Sequence, residues 1–192
     1  MSYVTYTTKA IVCGTYDRNT ADRSYRLFTR ELGMLYADAR SVRLEKSLQR
    51  QALQDFSLIK VSLIKGRGGW KIGSVSELKN YYSAAVDQPA RGSVVKLTRL
   101  VRRFVTGEET HEELFDEYIA ALDFFVAPQA QRICFENICI QRMLALFGYI
   151  KSTDVPSLFY GVALADITVD EVCLHDKAVK LSIKRAEIAS QL

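Results

Sequence analysis

Arg40, Arg43, Lys46 and Arg50 recur at intervals of three and four residues. On a helix that spacing lines one face with cations. On an extended connection it still crowds four positive charges into a short link. Arg26, Arg30, Lys60, Lys65, Arg67 and Lys71 add to them from neighbouring segments. Such a set neutralises phosphates; for single strands the salt slope is about −0.7 per phosphate contacted. Trp70, the only tryptophan, precedes Lys71 and follows the glycine-rich stretch Gly66-Arg67-Gly68-Gly69. Its indole offers a stacking surface for a base, worth roughly 1–3 kcal/mol. Tyr25 and Tyr36 read as interior filler. The bland alternative is that these charges form an ordinary solvated face.

The cations are unevenly distributed along the chain. Residues 1–75 hold 13 Lys/Arg against 6 Asp/Glu, a net +7, and residues 76–192 hold 13 against 16, a net −3. A basic module joined to a mildly acidic one points to a polyanion-binding half and a half with another task. In the second half Arg99, Arg102 and Arg103 fall together on one helix face. Arg132 and Arg142 flank an apolar helix containing Phe135, and an apolar groove edged by arginine would suit an acidic peptide ending in a carboxylate.

Catalytic constellations are lacking. The stretch 65–69 has neither the Gly-Lys-Ser/Thr ending nor the following helix of a phosphate cradle, and a hairpin is the simpler account. His111 stands among Glu108, Glu109, Glu112 and Glu113 with no nucleophile near it in sequence. His175 adjoins Asp176. The carboxylates of 108–117 read as the acidic start of a helix. Cys13, Cys134, Cys139 and Cys173 contain no Cys-x-x-Cys pair, so small buried hydrophobes are expected rather than zinc ligands. The chain is read as a non-enzyme with no cofactor and no metal.

The elements that must carry these residues follow from periodicity. Alternation and β-branched or aromatic content predict strands over 3–13, 23–29, 34–39, 55–65 and 70–75. A turn is expected at 17–19, a tight link at 31–33, a bulge at Leu58-Ile59 and a hairpin at 66–69. Residues 40–52 read as helix or loop. Five short strands suit a small closed barrel, and the OB-fold is the five-stranded example. After Val75 the period becomes 3.6. Ser74-x-x-Glu77 resembles a capping box that opens a short helix through Ala85. Further helices are expected with the stripe Val94 to Val105, from Thr110 to Phe125, from Pro128 to Phe147 and after Thr168, while 149–165 stay unassigned. The expected architecture is α+β: a basic OB-fold barrel over 1–75 that binds nucleic acid, then an α-helical domain over 76–192. No apolar run reaches about 18 residues and the start lacks a signal-peptide pattern, so a cytoplasmic protein without membrane contact is expected.

Several segments together resemble a known family. Leu27-Phe28-Thr29-Arg30-Glu31-Leu32-Gly33-Met34-Leu35, Ala39-Arg40-Ser41-Val42-Arg43, Lys46-Ser47 and Leu53-Gln54-Asp55-Phe56-Ser57 are similar, in order and spacing, to the N-terminal domain of the bacterial recombination mediator family RecO. Glu77-Leu78 fits as well, and Leu146-Phe147-Gly148-Tyr149 is similar to a helix end of that family. The resemblance implies an OB-fold followed by a helical domain. It implies binding of single- and double-stranded DNA, annealing of complementary strands, and help in loading a recombinase onto coated single strands. RecR and the acidic tail of single-stranded-DNA-binding protein are the partners it implies. Many members carry a cysteine-bearing insertion after the glycine–tyrosine pair. Here Tyr149-Ile150-Lys151-Ser152-Thr153-Asp154 has no cysteine, and the helical part is shorter than usual. Asp38 and Ser41-Val42 stand where small residues or glycine are the family habit. The DNA-binding residues expected are Arg26, Arg30, Arg40, Arg43, Lys46, Arg50, Lys65, Arg67, Trp70 and Lys71; Arg132, Phe135 and Arg142 are the partner-binding ones. Competing readings are an OB-fold protein–protein adapter and an RNA-binding OB module.

Overall fold

The computed structural model describes residues 4–151, 156, 159 and 161–189. Five strands form first: β1 (Thr5–Asp17), β2 (Arg23–Thr29), β3 (Gly33–Ala39), β4 (Ser57–Gly66) and β5 (Gly69–Asn80). They close into a barrel in the order β1-β2-β3-β5-β4, and the β3–β5 pairing is parallel. This is the expected five-stranded OB-fold. Inward positions alternate as the pleat requires: Ala10 and Val12, Tyr25 and Leu27, Leu35, Ala37 and Ala39, Ile59, Val61 and Leu63, then Trp70 and Ile72 fill one core. The register shifts at Leu58/Ile59, where two adjacent apolar residues break the alternation, and again at Val61/Leu63.

The outward side chains of β1–β3 divide into two stretches. Ile11, Cys13, Phe28 and Met34 are buried a second time, beneath the helices. Farther along the same strands the outer face is left open. The covering helices are α2 (Tyr81–Ala84), α3 (Gln88–Phe104), α4 (Glu112–Phe125), α5 (Arg132–Leu146) and α6 (Val169–Ala189). Between β3 and β4 lies α1 (Gln49–Ala52), and a 3-10 turn covers Leu164–Asp166. α5 is buried on nearly every side, including Phe135, Ile138, Cys139, Met143 and Leu144, and so occupies the centre of the helical layer.

Local chemistry explains the boundaries. Asp87 caps α3 by accepting from the Ala90 N–H at 2.7 Å, and Pro89 sits in the first turn, where no helical donor is needed. Thr168 and Glu171 form a reciprocal capping box at the start of α6. Gly33 adopts φ +66, and a Cβ there would collide with the Glu109 carbonyl oxygen. The α3–α4 connection packs directly on this turn, with the Met34 N–H donating to the Gly107 carbonyl at 2.9 Å.

One sequence expectation fails and one open choice is settled. Residues 74–80 are not helical but continue β5, because their backbone pairs with β4 from Ser57 to Val61. The apparent capping box is therefore strand, and the helix that follows is only Tyr81–Ala84, capped by Asn80. Of the two alternatives for residues 40–52 the loop holds: they form turns with helix only at Gln49–Ala52, so Arg40, Arg43, Lys46 and Arg50 do not share a helix face. α3 begins at Gln88, ahead of the expected stripe from Val94, and takes in Pro89 and Gly92. The predicted first strand includes Tyr3, which lies outside the described residues, as do positions 152–154 of the quoted stretch after Gly148 and much of 149–165.

Candidate nucleic-acid interface

The open part of the barrel face is built from strand register. Gly14 of β1 pairs with Arg26 of β2, which pairs with Tyr36 of β3. The next outward row runs Tyr16, Ser24, Asp38 and Lys71 across β1, β2, β3 and β5. The two rows place Tyr16 and Tyr36 side by side, ring centroids 6.0 Å apart, with 41% and 55% of their surfaces exposed. Two neighbouring exposed tyrosines on a rigid sheet form a ready stacking surface, since every base presents a π-face.

Cations surround the pair. The Arg26 guanidinium lies 5.9 Å from the Tyr36 ring centroid. Arg102 of α3 donates to the Tyr16 hydroxyl at 3.3 Å. Arg18 pairs with Asp38 at the rim, and exposed Lys71 is the register partner of Asp38 on β5. Arg40 follows β3 directly and is exposed; together with Arg18 it faces Asp22. Asp22 is held below the usual carboxylate range, first by the Asn19 side chain, then by the Ser41 N–H, then by these arginines. Asp22 therefore stays ionised at neutral pH beside these cations.

Arg26 also serves the fold. Its guanidinium donates to the carbonyls of Arg102 and Val105 at the C-terminal end of α3. Those carbonyls have no helical partner, and a cation there also opposes the helix dipole. Arg26 thus ties α3 to the barrel and sets Arg102 at the edge of the tyrosine pair.

The structure separates the residues predicted from sequence. Arg26, Arg40 and Lys71 converge on this face. Lys46, Arg50 and Arg67 are exposed, the first two in the β3–β4 connection and the third at the hairpin tip. Arg43 is tied to Asp17 and to the Asn19 carbonyl. Arg30 is held by Glu112 and Asp116, and Lys65 by Glu108 at 2.7 Å. Asp116 is pushed below the ordinary carboxylate value by Arg30, and Glu108 by Lys65 and then the Trp70 indole. Trp70 is corrected outright as a stacking platform. It is 5% exposed, its indole N–H donates to Glu108, Tyr6 meets it edge-on and the Lys65 ammonium covers its ring.

The predicted partner groove in the helices is corrected as well. Phe135 is buried, and Arg142 is buried and bonded to Glu117 and to the Phe159 and Val162 carbonyls. Arg132 donates to the carbonyls of Phe125, the last residue of α4, and of Ala127 just beyond it, a capping role. All four cysteines are free thiols. Among the described residues no His/Cys/Asp/Glu group could hold a metal, and no helix is long and apolar enough to cross a membrane.

Tyr16, Tyr36, Arg18 and Arg102 were missed as site residues. The signal for Tyr36 was present: Leu35, Ala37 and Ala39 point inward, so their neighbour must point out. No sequence signal brings Arg102 to Tyr16, 86 residues away.

Fold and face together define a class: an OB-fold barrel with an aromatic, cationic outer face, braced by a helical layer. Residues 1–82 match the family described as "Recombination protein O N terminal", so the barrel is similar to the N-terminal domain of that family. Over 135 residues the chain is 27% identical to the "DNA repair protein RecO" of Myxococcus xanthus (strain DK1622). The matched stretch covers 68% of this chain and 55% of that relative, so the similarity extends past the barrel into the helices. The chain thus aligns with about half the length of the curated relative it matches.

Proposed function

We propose that this chain is a non-enzymatic mediator of DNA repair and recombination that binds DNA through its barrel. One observation carries the reading: the exposed Tyr16–Tyr36 pair lies against Arg26 and Arg102, with Arg18, Lys71 and Arg40 along the adjoining rim. Bases stack on the tyrosines while phosphates meet the rim cations, so contact depends on backbone and π-surface rather than on base edges. Lys46, Arg50 and Arg67 extend the positive field from the adjoining connections. The similarity to a protein named for DNA repair supports the same reading.

A cationic surface that takes up two complementary strands lowers their mutual repulsion and lets bases find register without nucleotide hydrolysis. Annealing, and help in loading a recombinase onto coated single strands, are the activities we assign. RecR and the acidic tail of the coating protein are the partners that the family relationship points to. The decisive assay is annealing of complementary oligonucleotides at two salt concentrations, with and without the acidic-tailed coating protein. Acceleration that falls steeply with salt is expected; no acceleration at low salt defeats the proposal. Competition between DNA and RNA of the same sequence separates the RNA-binding alternative, which predicts preference for the ribose strand.

A further inference from the structure

We propose that the nucleic-acid path does not end on the barrel but continues along α3, with Arg91, Arg99, Arg102 and Arg103 as successive phosphate contacts. The inference rests on the barrel reading above and extends it to a second, helical segment of the same site.

Between Gln88 and Phe104, α3 holds five cations, Arg91, Lys96, Arg99, Arg102 and Arg103, and no carboxylate. The spacing 91, 95, 99, 102 keeps three arginines and Val95 on one stripe, and Arg103 lies one turn beyond Arg99. Lys96 falls off the stripe and is taken by Glu136 at 2.6 Å. None of the four arginines has a carboxylate partner among the described residues, although eleven other ion pairs form. The fold has left this stripe unneutralised, while Arg30 and Lys65 at another part of the barrel are covered by acids.

The stripe borders a groove. Tyr82, Arg91, Gly92, Val95 and Arg99 line it, together with the Glu136-paired Lys96. Tyr82 stacks on Phe56 at 5.5 Å, and the Arg91 guanidinium lies 5.5 Å from the Tyr82 ring centroid. The Arg91 Nε is buried without an acceptor among the described residues. Gly92 leaves the groove floor open, since a Cβ there would meet nothing within 4 Å. At the other end Arg102 touches Tyr16, so the stripe begins where the tyrosine pair ends. From Arg91 to Arg102 the helix rises about 16 Å, long enough for several consecutive phosphates.

A linear row of unpaired guanidinium groups continuous with a stacking surface fits a polynucleotide backbone. A membrane surface would call for a continuous band of large apolar side chains exposed along the cations; among the described residues α3 itself exposes none, and only Tyr82 and Val86 are exposed beside its start. An acidic peptide is the remaining competitor, and the test includes it.

The test uses the full chain with Arg91, Arg99 and Arg103 replaced together by Gln. Arg102 is left in place because it touches the barrel face. Binding of labelled oligo-dT of about 6 and about 20 nucleotides is followed by fluorescence anisotropy between 50 and 200 mM salt. The short strand, confined to the barrel, should bind both proteins equally. For the long strand the variant's log–log salt slope should be shallower by about 2, three contacts at about 0.7 each. Wild-type affinity then falls about 20-fold more than the variant's over that fourfold salt change. A triple Lys version should keep the wild-type slope. An unchanged long-strand slope overturns the inference, as does loss of the slope in the Lys version, which marks a structural role. Long-strand binding unaffected while a labelled oligoglutamate loses affinity also overturns it, in favour of an acidic peptide. Tyr36→Ala is the control for the parent reading: it should weaken both lengths. If it weakens neither, the barrel reading fails whatever α3 does.

Discussion

Replacing Tyr36 by alanine tests the interface with little disturbance of the fold. The ring is 55% exposed, and its contacts are the Tyr16 ring at 6.0 Å and the Arg26 guanidinium at 5.9 Å. Contacts of these two kinds are worth about 0.5–1 kcal/mol each at exposed sites. The expected loss of stability is therefore about 1–2 kcal/mol, a fall in Tm of about 2–8 °C for a chain of this size. One lost base stack costs roughly 1–3 kcal/mol of binding, about 5- to 150-fold in Kd. Trp70→Ala gives the opposite pattern. It empties a core position and removes the partner of Glu108, costing about 3–5 kcal/mol of stability. The assay pairs anisotropy titrations of a single-stranded oligonucleotide with thermal melts of the same samples. A folded Tyr36→Ala protein with wild-type affinity refutes the assignment of the face. A Trp70→Ala protein that melts normally yet no longer binds would return the platform to Trp70.

Two further predictions concern how the helical layer is held. Arg142→Met removes the partner of Glu117 and of two chain carbonyls, and should cost about 3–5 kcal/mol, as breaking buried pairs does. Hydrogen exchange should then speed up around Val162–Leu164, and unchanged protection there would show that Arg142 does not anchor the segment. Glu108 titrates below the ordinary carboxylate value because Lys65 and the Trp70 indole favour its charged form. A depressed value stabilises the fold at neutral pH, and that contribution is lost as pH falls below about 4.5 through the folded value. Glu108→Gln should therefore lower the urea midpoint slightly at pH 7, a stability loss under ~1 kcal/mol for so exposed a pair, and converge with wild type near pH 3. A difference that is constant from pH 7 to 3 would rule out the charge as its source.

How much was legible differs by element. β2 was read to the residue, from Arg23 to Thr29, because one clean alternation lies between two turns. The bulge at Leu58 was legible because two apolar neighbours cannot both face one side of a strand. Residues 74–80 misled because a capping box is a local pattern, whereas the hydrogen bonds that decide the segment come from β4, some twenty residues earlier. Trp70 misled because being next to Lys71 in sequence says nothing of direction: in a strand the two point to opposite faces. The groove predicted around Phe135 and Arg142 failed because α5 is enclosed by other helices, and no single helix pattern reveals how many neighbours it has.

Composition and periodicity by themselves determined the closed five-stranded barrel, the following helices and the excess of positive charge in the first 75 residues, since alternation, turn chemistry and net charge are local or additive. Which cations stay free was decided only by the tertiary structure. Folding brings Glu108, Glu112 and Asp116 of the acidic half onto Lys65 and Arg30 of the basic half and cancels them there. It also carries Arg102 from the acidic half to Tyr16 on the barrel. Coulomb interactions act over a few ångströms of space rather than along the chain, so a charge asymmetry in sequence becomes a binding face only where folding leaves it uncompensated.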